Sequence, residues 1–175
     1  MGQALALGSA GLNRRSVEDA ARTAVAASVS LVVARLARMP EAYWAAVTTI
    51  VVLQSTLGAA LSVSMLRFIG TALGAVSGGL LAARFGPNTW VFAGGVFLLG
   101  LLTAATHCDK SAFRFAGITL AIVMLVARTE SPWGIAFHRF VEVSIGIAIG
   151  LLFTAVWPEH AAAAATAPTD KPRSD

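Results

Sequence analysis

Apolar residues run along this chain in six long stretches, separated by short turns, with most of its arginines near the ends of the odd-numbered stretches. The stretches span about Ala20 to Arg38, Ala42 to Leu61, Leu66 to Phe85, Thr89 to Thr106, Phe113 to Ala127 and Trp133 to Trp157. A bilayer core of about 30 Å takes about 20 mainly apolar residues in a helix. Each stretch meets or approaches that length. In lipid the backbone must satisfy its own hydrogen bonds, and the alternating pattern of a barrel strand is absent, so the stretches predict helices. The short turns predict antiparallel neighbours. The expected fold is all-α, an integral membrane six-helix bundle.

Composition supports this pattern and narrows the function. Hydrophobic residues make up 57% of the 175 and charged residues 13%, about half the ~25% of a soluble domain. That excludes a soluble enzyme, a disordered chain and a disulfide scaffold. The lipid bilayer is the expected surrounding. The single cysteine, Cys108, excludes an intrachain disulfide. His107-Cys108-Asp109 are adjacent in a turn and lack the spacing of metal ligands, so no metal and no cofactor are expected. The net charge of +4 comes from arginines at the ends of apolar runs, not from one basic face, so nucleic acid is not an expected partner.

Topology follows from the same charges. With the N terminus inside, eight of the 13 Lys and Arg fall on the inner side and five on the outer, so both termini are expected in the cytoplasm. Trp44, Trp90, Trp133 and Trp157 read as interfacial anchors. Glu18, Asp19 and Arg22 interrupt the approach to the first stretch, which predicts an uncleaved span instead of a signal peptide. Residues 1–19 read as a cytoplasmic lead-in, 20–158 as the membrane domain and 159–175 as a disordered cytoplasmic tail.

The odd stretches repeat one another. Arg22, Arg67 and Arg114 open them, 45 and 47 residues apart, and Arg35, Arg84 and Arg128 close them, 49 and 44 apart. Each is followed by a proline and a tryptophan: Pro40 and Trp44, Pro87 and Trp90, Pro132 and Trp133. A fixed period suggests one unit used three times, here a helical hairpin. Around a common centre the leading arginines would share a depth near the inner side. A guanidinium at mid-bilayer costs about 2.5–3.5 kcal/mol and less near the interface. The six arginines therefore fit two roles: snorkelling residues that fix topology, or the lining of an electropositive passage.

Other polar residues stand inside the apolar stretches. Arg139 and Glu142 are i,i+3 neighbours and His138 and Glu142 are i,i+4, so all three fit one helix face. They fit a structural ion pair or a proton-coupling site. Gln54, Ser55, Thr56 and Gly58 fit a broken helix end lining a cavity. Gly70, Gly74 and Gly78, and again Gly146 and Gly150, recur every fourth residue and predict close helix packing.

Tyr43-Trp44-Ala45-Ala46-Val47-Thr48, Gln54-Ser55-Thr56-Leu57-Gly58, Arg67 with Gly70-Thr71, Arg114 with Gly117-Ile118-Thr119, and His138-Arg139 with Glu142 and Gly146 together resemble the membrane half of the fusaric acid resistance, or aromatic acid exporter, family. Plant aluminium-activated malate transporters are distantly similar. The resemblance covers about Ala20 to Pro158. It departs at Ser55, where the family often has proline, and larger members carry two six-helix halves with cytosolic domains. It implies a homodimer in place of the fused pair, and small organic anions, aromatic carboxylates among them, as substrates.

Three functional readings stay open. In an inner-membrane exporter, Arg67, Arg114 and Arg22 would draw a carboxylate, Gln54, Thr56 and Thr71 would add contacts, Phe68 and Phe115 would face a ring, and Glu142 would carry a proton. A passive anion channel would need the arginines but no titrating carboxylate. A non-transporting membrane subunit would need neither. No nucleophile, base and acid layout, cofactor fingerprint or phosphate loop stands in the sequence, so no enzyme is expected.

Overall fold

The computed structural model describes residues 14–53, 56–106, 109–126 and 130–157, with side chains from Val17 onward. These residues form six helices, and no strand occurs among them: α1 (Arg14–Leu36), α2 (Tyr43–Leu53), α3 (Leu57–Phe85), α4 (Thr89–Ala105), α5 (Lys110–Leu125) and α6 (Pro132–Val156). Of these, α3 and α6 are long and apolar enough to cross a bilayer, while α2 and α4 are shorter apolar helices. The expected tail from residue 159 lies outside the described residues.

One boundary differs from expectation. The second stretch was expected to run to Leu61, with the turn after it. Instead α2 stops at Leu53, after 11 residues, which is about 16 Å of helix and too short to cross the bilayer alone. Thr56 is extended, at φ −61° and ψ 161°, and α3 begins at Leu57. The polar run at Gln54 to Thr56 marks the break. Past it, only Gly58 interrupts the helix formers before Leu66, so those residues join α3 and lengthen it to 29.

The helix ends follow their side chains. Asn88, Asp109 and Ser131 cap α4, α5 and α6 by accepting backbone N–H bonds from Trp90, Ser111 and Gly134, and Pro132 opens α6, where its missing N–H is not needed. The backbone N–H of Ser111, then its hydroxyl, hold the Asp109 carboxyl below its usual range, so that cap stays charged. The C terminus of α1 closes through a six-residue turn. Arg38 N–H bonds Arg35 O at 2.9 Å and Met39 N–H bonds Ala34 O at 3.0 Å. This geometry puts Arg38 at φ 57°, in the position usually held by glycine. Gly86 holds the corresponding place after α3, at φ 68°.

Packing is organised by two glycine seams. A Cβ at Gly70 would lie 2.5 Å from Ala112 O, one at Gly74 would overlap Ala116 O, and one at Gly78 would press on Val123. The matched order shows that α3 and α5 run parallel. On α6, a Cβ at Gly146 would overlap Ala45 O and one at Gly150 would press on Val52, so α2 and α6 also run parallel. Trp133 lies over Gly79 and Phe68 meets Phe140 with ring centroids 4.9 Å apart, which sets α3 antiparallel to α6. The main contacts of α3 are therefore α5 and α6, and it touches its sequence neighbours α2 and α4 much less.

Replacing Gly74 by alanine is expected to destabilise the protein by about 1–3 kcal/mol through overpacking. Gly94→Ala, where a Cβ meets nothing within 4 Å, should be neutral or stabilising by up to about 1 kcal/mol. Thermal unfolding in detergent micelles checks both.

Candidate functional site

Three arginines are buried inside the described helices: Arg22 on α1, Arg67 on α3 and Arg139 on α6, with 2%, 7% and 2% of their surface exposed. The buried carboxylate set against them is Glu142, at 1%. Burial of this kind demands partners, because a guanidinium taken out of water loses hydration that only charge and hydrogen bonds replace.

Arg67 and Arg139 both reach α2. Arg67 donates from Nε at 3.2 Å and from Nη2 at 3.0 Å to Thr48 Oγ1. Thr48 donates its own proton to Trp44 O at 2.8 Å, which leaves its oxygen free to accept. The Arg67 guanidinium also lies 4.8 Å from the centre of the Phe115 ring. No carboxylate of the described residues forms an ion pair with it. Arg139 lies over Trp44, its Cζ 3.6 Å from the ring centre. Its Nη1 makes one long bond, 3.4 Å, to Glu142 Oε2, and its Nε is buried without a partner. Trp44 and Thr48 stand one turn apart on α2, so the two guanidiniums meet neighbouring positions of one helix, and Arg139 stands within reach of the Glu142 and Glu41 carboxylates as well as of Arg67.

Glu142 ties this cluster to the α1–α2 connection. Its Oε1 accepts the Glu41 backbone N–H at 2.9 Å. The Glu41 carboxylate in turn accepts from Tyr43 Oη at 2.8 Å and from Trp44 Nε1 at 3.2 Å. Trp44 is thus half-buried in a polar network, whereas Trp90 is 86% exposed as an interfacial anchor would be. Beside the cluster, an apolar groove of about 320 Å³ runs between α3 and α6, lined by Ala72, Ala75, Val76, Trp133, Ala136, Phe137 and Phe140. Neither arginine lines it, and Phe140, at its end nearest the cluster, is the residue after Arg139.

The other sequence-derived candidates fall in different places. Arg22 is buried with Nε and Nη2 unpartnered. Arg114 is exposed, so the leading arginines do not share one environment. Thr71 is buried at 2%. Thr56 is exposed and makes no side-chain cap bond. Gln54 and Arg128 lie outside the described residues. His138 turns away from Glu142 and meets Glu130 Oε2 at 3.3 Å. Sequence spacing placed Arg139 in an ion pair or a proton-coupling group with Glu142 and His138, and missed its place near Arg67. The Arg-Phe pairs at 67–68, 114–115 and 139–140 carried that signal, diluted by a fourth at 84–85. Among the described residues no group of three His, Cys, Asp or Glu is gathered for a metal.

Comparison with known proteins gives a family. The profile of the family described as fusaric acid resistance protein-like matches residues 27–153. The chain is 34% identical over 155 residues to the uncharacterized transporter YdhK of Escherichia coli K12, covering 83% of this chain and 23% of that protein. It is 29% identical to YdhK of Salmonella typhimurium LT2, over 79% of this chain and 22% of the relative. It is 32% identical to the inner membrane protein YeeA of E. coli K12, over 80% of this chain and 40% of the relative. The chain therefore spans about a quarter of the YdhK proteins. No solved structure matches it.

Thr48→Val removes the acceptor of a buried cation and is expected to destabilise the fold by about 1.5–3 kcal/mol. Thr23→Val removes only an exposed bond to Asp19 O and should stay within about 0.5 kcal/mol of wild type. Thermal unfolding of the two purified variants provides the comparison.

Proposed function

This chain belongs to the fusaric acid resistance protein-like family, and from that premise we propose that it is an inner-membrane transporter that exports small organic anions, aromatic carboxylates among them. Its helices span the bilayer with both termini in the cytoplasm, and two copies form the working unit. The observation that carries this reading is Arg67, a buried guanidinium that meets a threonine hydroxyl and a phenyl face. Neither cancels its charge. A carboxylate ligand would, and guanidinium grips carboxylate with two parallel hydrogen bonds. The adjacent groove supplies an apolar surface for the rest of such a ligand. The names of the relatives, a transporter and an inner membrane protein, support the same reading.

Purified protein reconstituted in vesicles should carry benzoate faster than chloride, and a pH gradient should change the rate. Arg67→Ala should lower benzoate flux at least tenfold, while Arg84→Ala, at an exposed helix end, should leave it within twofold. Equal flux by both variants at matched incorporation would remove Arg67 from the pathway. No benzoate flux by wild type under any gradient would remove the function.

A further inference from the structure

The cluster contains a second guanidinium that is only partly used. Arg139 spends Nη1 on Glu142 and leaves Nε buried without a partner. A guanidinium recognises a carboxylate best through two parallel N–H groups on one edge. The edge that carries Nε and Nη2 is such a fork, and no bond is made there. Trp44 covers one face of the group at 3.6 Å, and the unbonded Nε edge, buried as it stands, is where a ligand that entered the cluster would find free donors.

Arg67 stands beside it with a complementary need. Its own Nε and Nη2 share the single Thr48 oxygen, which leaves the Nη1 side for another acceptor. The two arginines come from α3 and α6, which pack together through Phe68 and Phe140, each the residue after one arginine. Two buried cations face one buried carboxylate, Glu142, and the half-buried Glu41 carboxylate, bonded to Trp44 Nε1, also acts on Arg139, yet neither carboxylate bonds the Nε edge. The groove between the same two helices begins at Phe140.

We propose that Arg67 and Arg139 form a two-arginine clamp for one carboxylate, with the ligand's apolar body lying against Phe140 and Glu142 acting as the negative charge that restrains affinity. This rests on the reading of the chain as an organic-anion transporter and adds Arg139 and Glu142 to it. The clamp suits a monocarboxylate with a compact apolar body. A neutral amide of the same shape offers no charge and does not bind. Glu142 acts on the ligand through Arg139: it withdraws part of that guanidinium's charge, and its stronger bond, to Glu41 N–H at 2.9 Å, keeps it in place when the ligand arrives.

Trp44 reports directly on this site. In a variant that keeps Trp44 and replaces Trp90, Trp133 and Trp157 by phenylalanine, benzoate should change Trp44 emission saturably and benzamide should not. Added to that variant, Arg139→Lys, which keeps the charge but loses the Nε edge, should weaken benzoate binding at least tenfold, and Arg67→Lys likewise. Glu142→Gln should tighten binding at least threefold, because the amide oxygen still accepts the Glu41 N–H while the competing charge is gone. That gain cannot come from misfolding, so it protects the test from a variant that merely fails to fold. Unchanged affinity in Arg139→Lys, or no gain in Glu142→Gln, overturns the clamp. If wild type still carries benzoate in vesicles, the transport reading survives that result. If wild type neither binds nor carries benzoate, both fall together.

Discussion

A positive charge held away from water must be answered by a negative one, and the centre of this fold is organised by that demand. Arg67 and Arg139 are both nine-tenths buried, and the buried carboxylate Glu142 meets only the second of them, across 3.4 Å, while its other oxygen accepts the Glu41 backbone N–H. Insertion of one arginine at mid-bilayer costs about 2.5–3.5 kcal/mol. A fold that carries two of them close together offsets that cost with aromatic faces, a threonine oxygen and one long ion pair. These contacts hold the cations in place, and the proposed anion site rests on the donors they leave unbonded.

The helix packing makes this arrangement possible. Glycine seams let α3 lie against α5 and α6 lie against α2 at backbone distance. Those two seams bring Phe115 on α5 under Arg67, and Trp44 on α2 under Arg139. Each seam thus supplies the aromatic face that orients one guanidinium. The short α2 serves the same end. Because it stops at Leu53, its polar face from Trp44 to Thr48 stands beside the arginines of α3 and α6. Glu41, in the connection before α2, then links that connection to Glu142.

Much of this was legible in the sequence. Long apolar stretches, small-residue ridges at Gly70, Gly74, Gly78, Gly146 and Gly150, and the Arg139–Glu142 spacing each report a local periodicity, and local periodicity is what a sequence displays. The family was legible too, from the tyrosine–tryptophan and glutamine–threonine–leucine–glycine segments. The length of α2 was legible only in part: the polar run from Gln54 suggested a broken helix end, while the apolar stretch itself ran on to Leu61. The different surroundings of the leading arginines were not legible. Arg22, Arg67 and Arg114 share a period of 45 to 47 residues, but burial depends on the neighbouring helix. Arg67 faces α2 and α5, while Arg114, one residue before the ring that Arg67 stacks on, faces outward. The nearness of Arg67 to Arg139 depends on α3 touching α6, and a contact between helices distant in sequence leaves no periodic mark.

The central claim is that the interior holds a fixed positive charge awaiting a soluble anion. Its most direct test is the thermal unfolding of wild-type protein in detergent, titrated with benzoate at constant ionic strength, with benzamide in parallel. A ligand that binds only the folded state stabilises it by about 2.7 kcal/mol at a hundredfold excess over its dissociation constant. The account predicts an unfolding midpoint that climbs with benzoate and stays flat with benzamide. Equal shifts for the two compounds, or a midpoint that benzoate does not move, would contradict it.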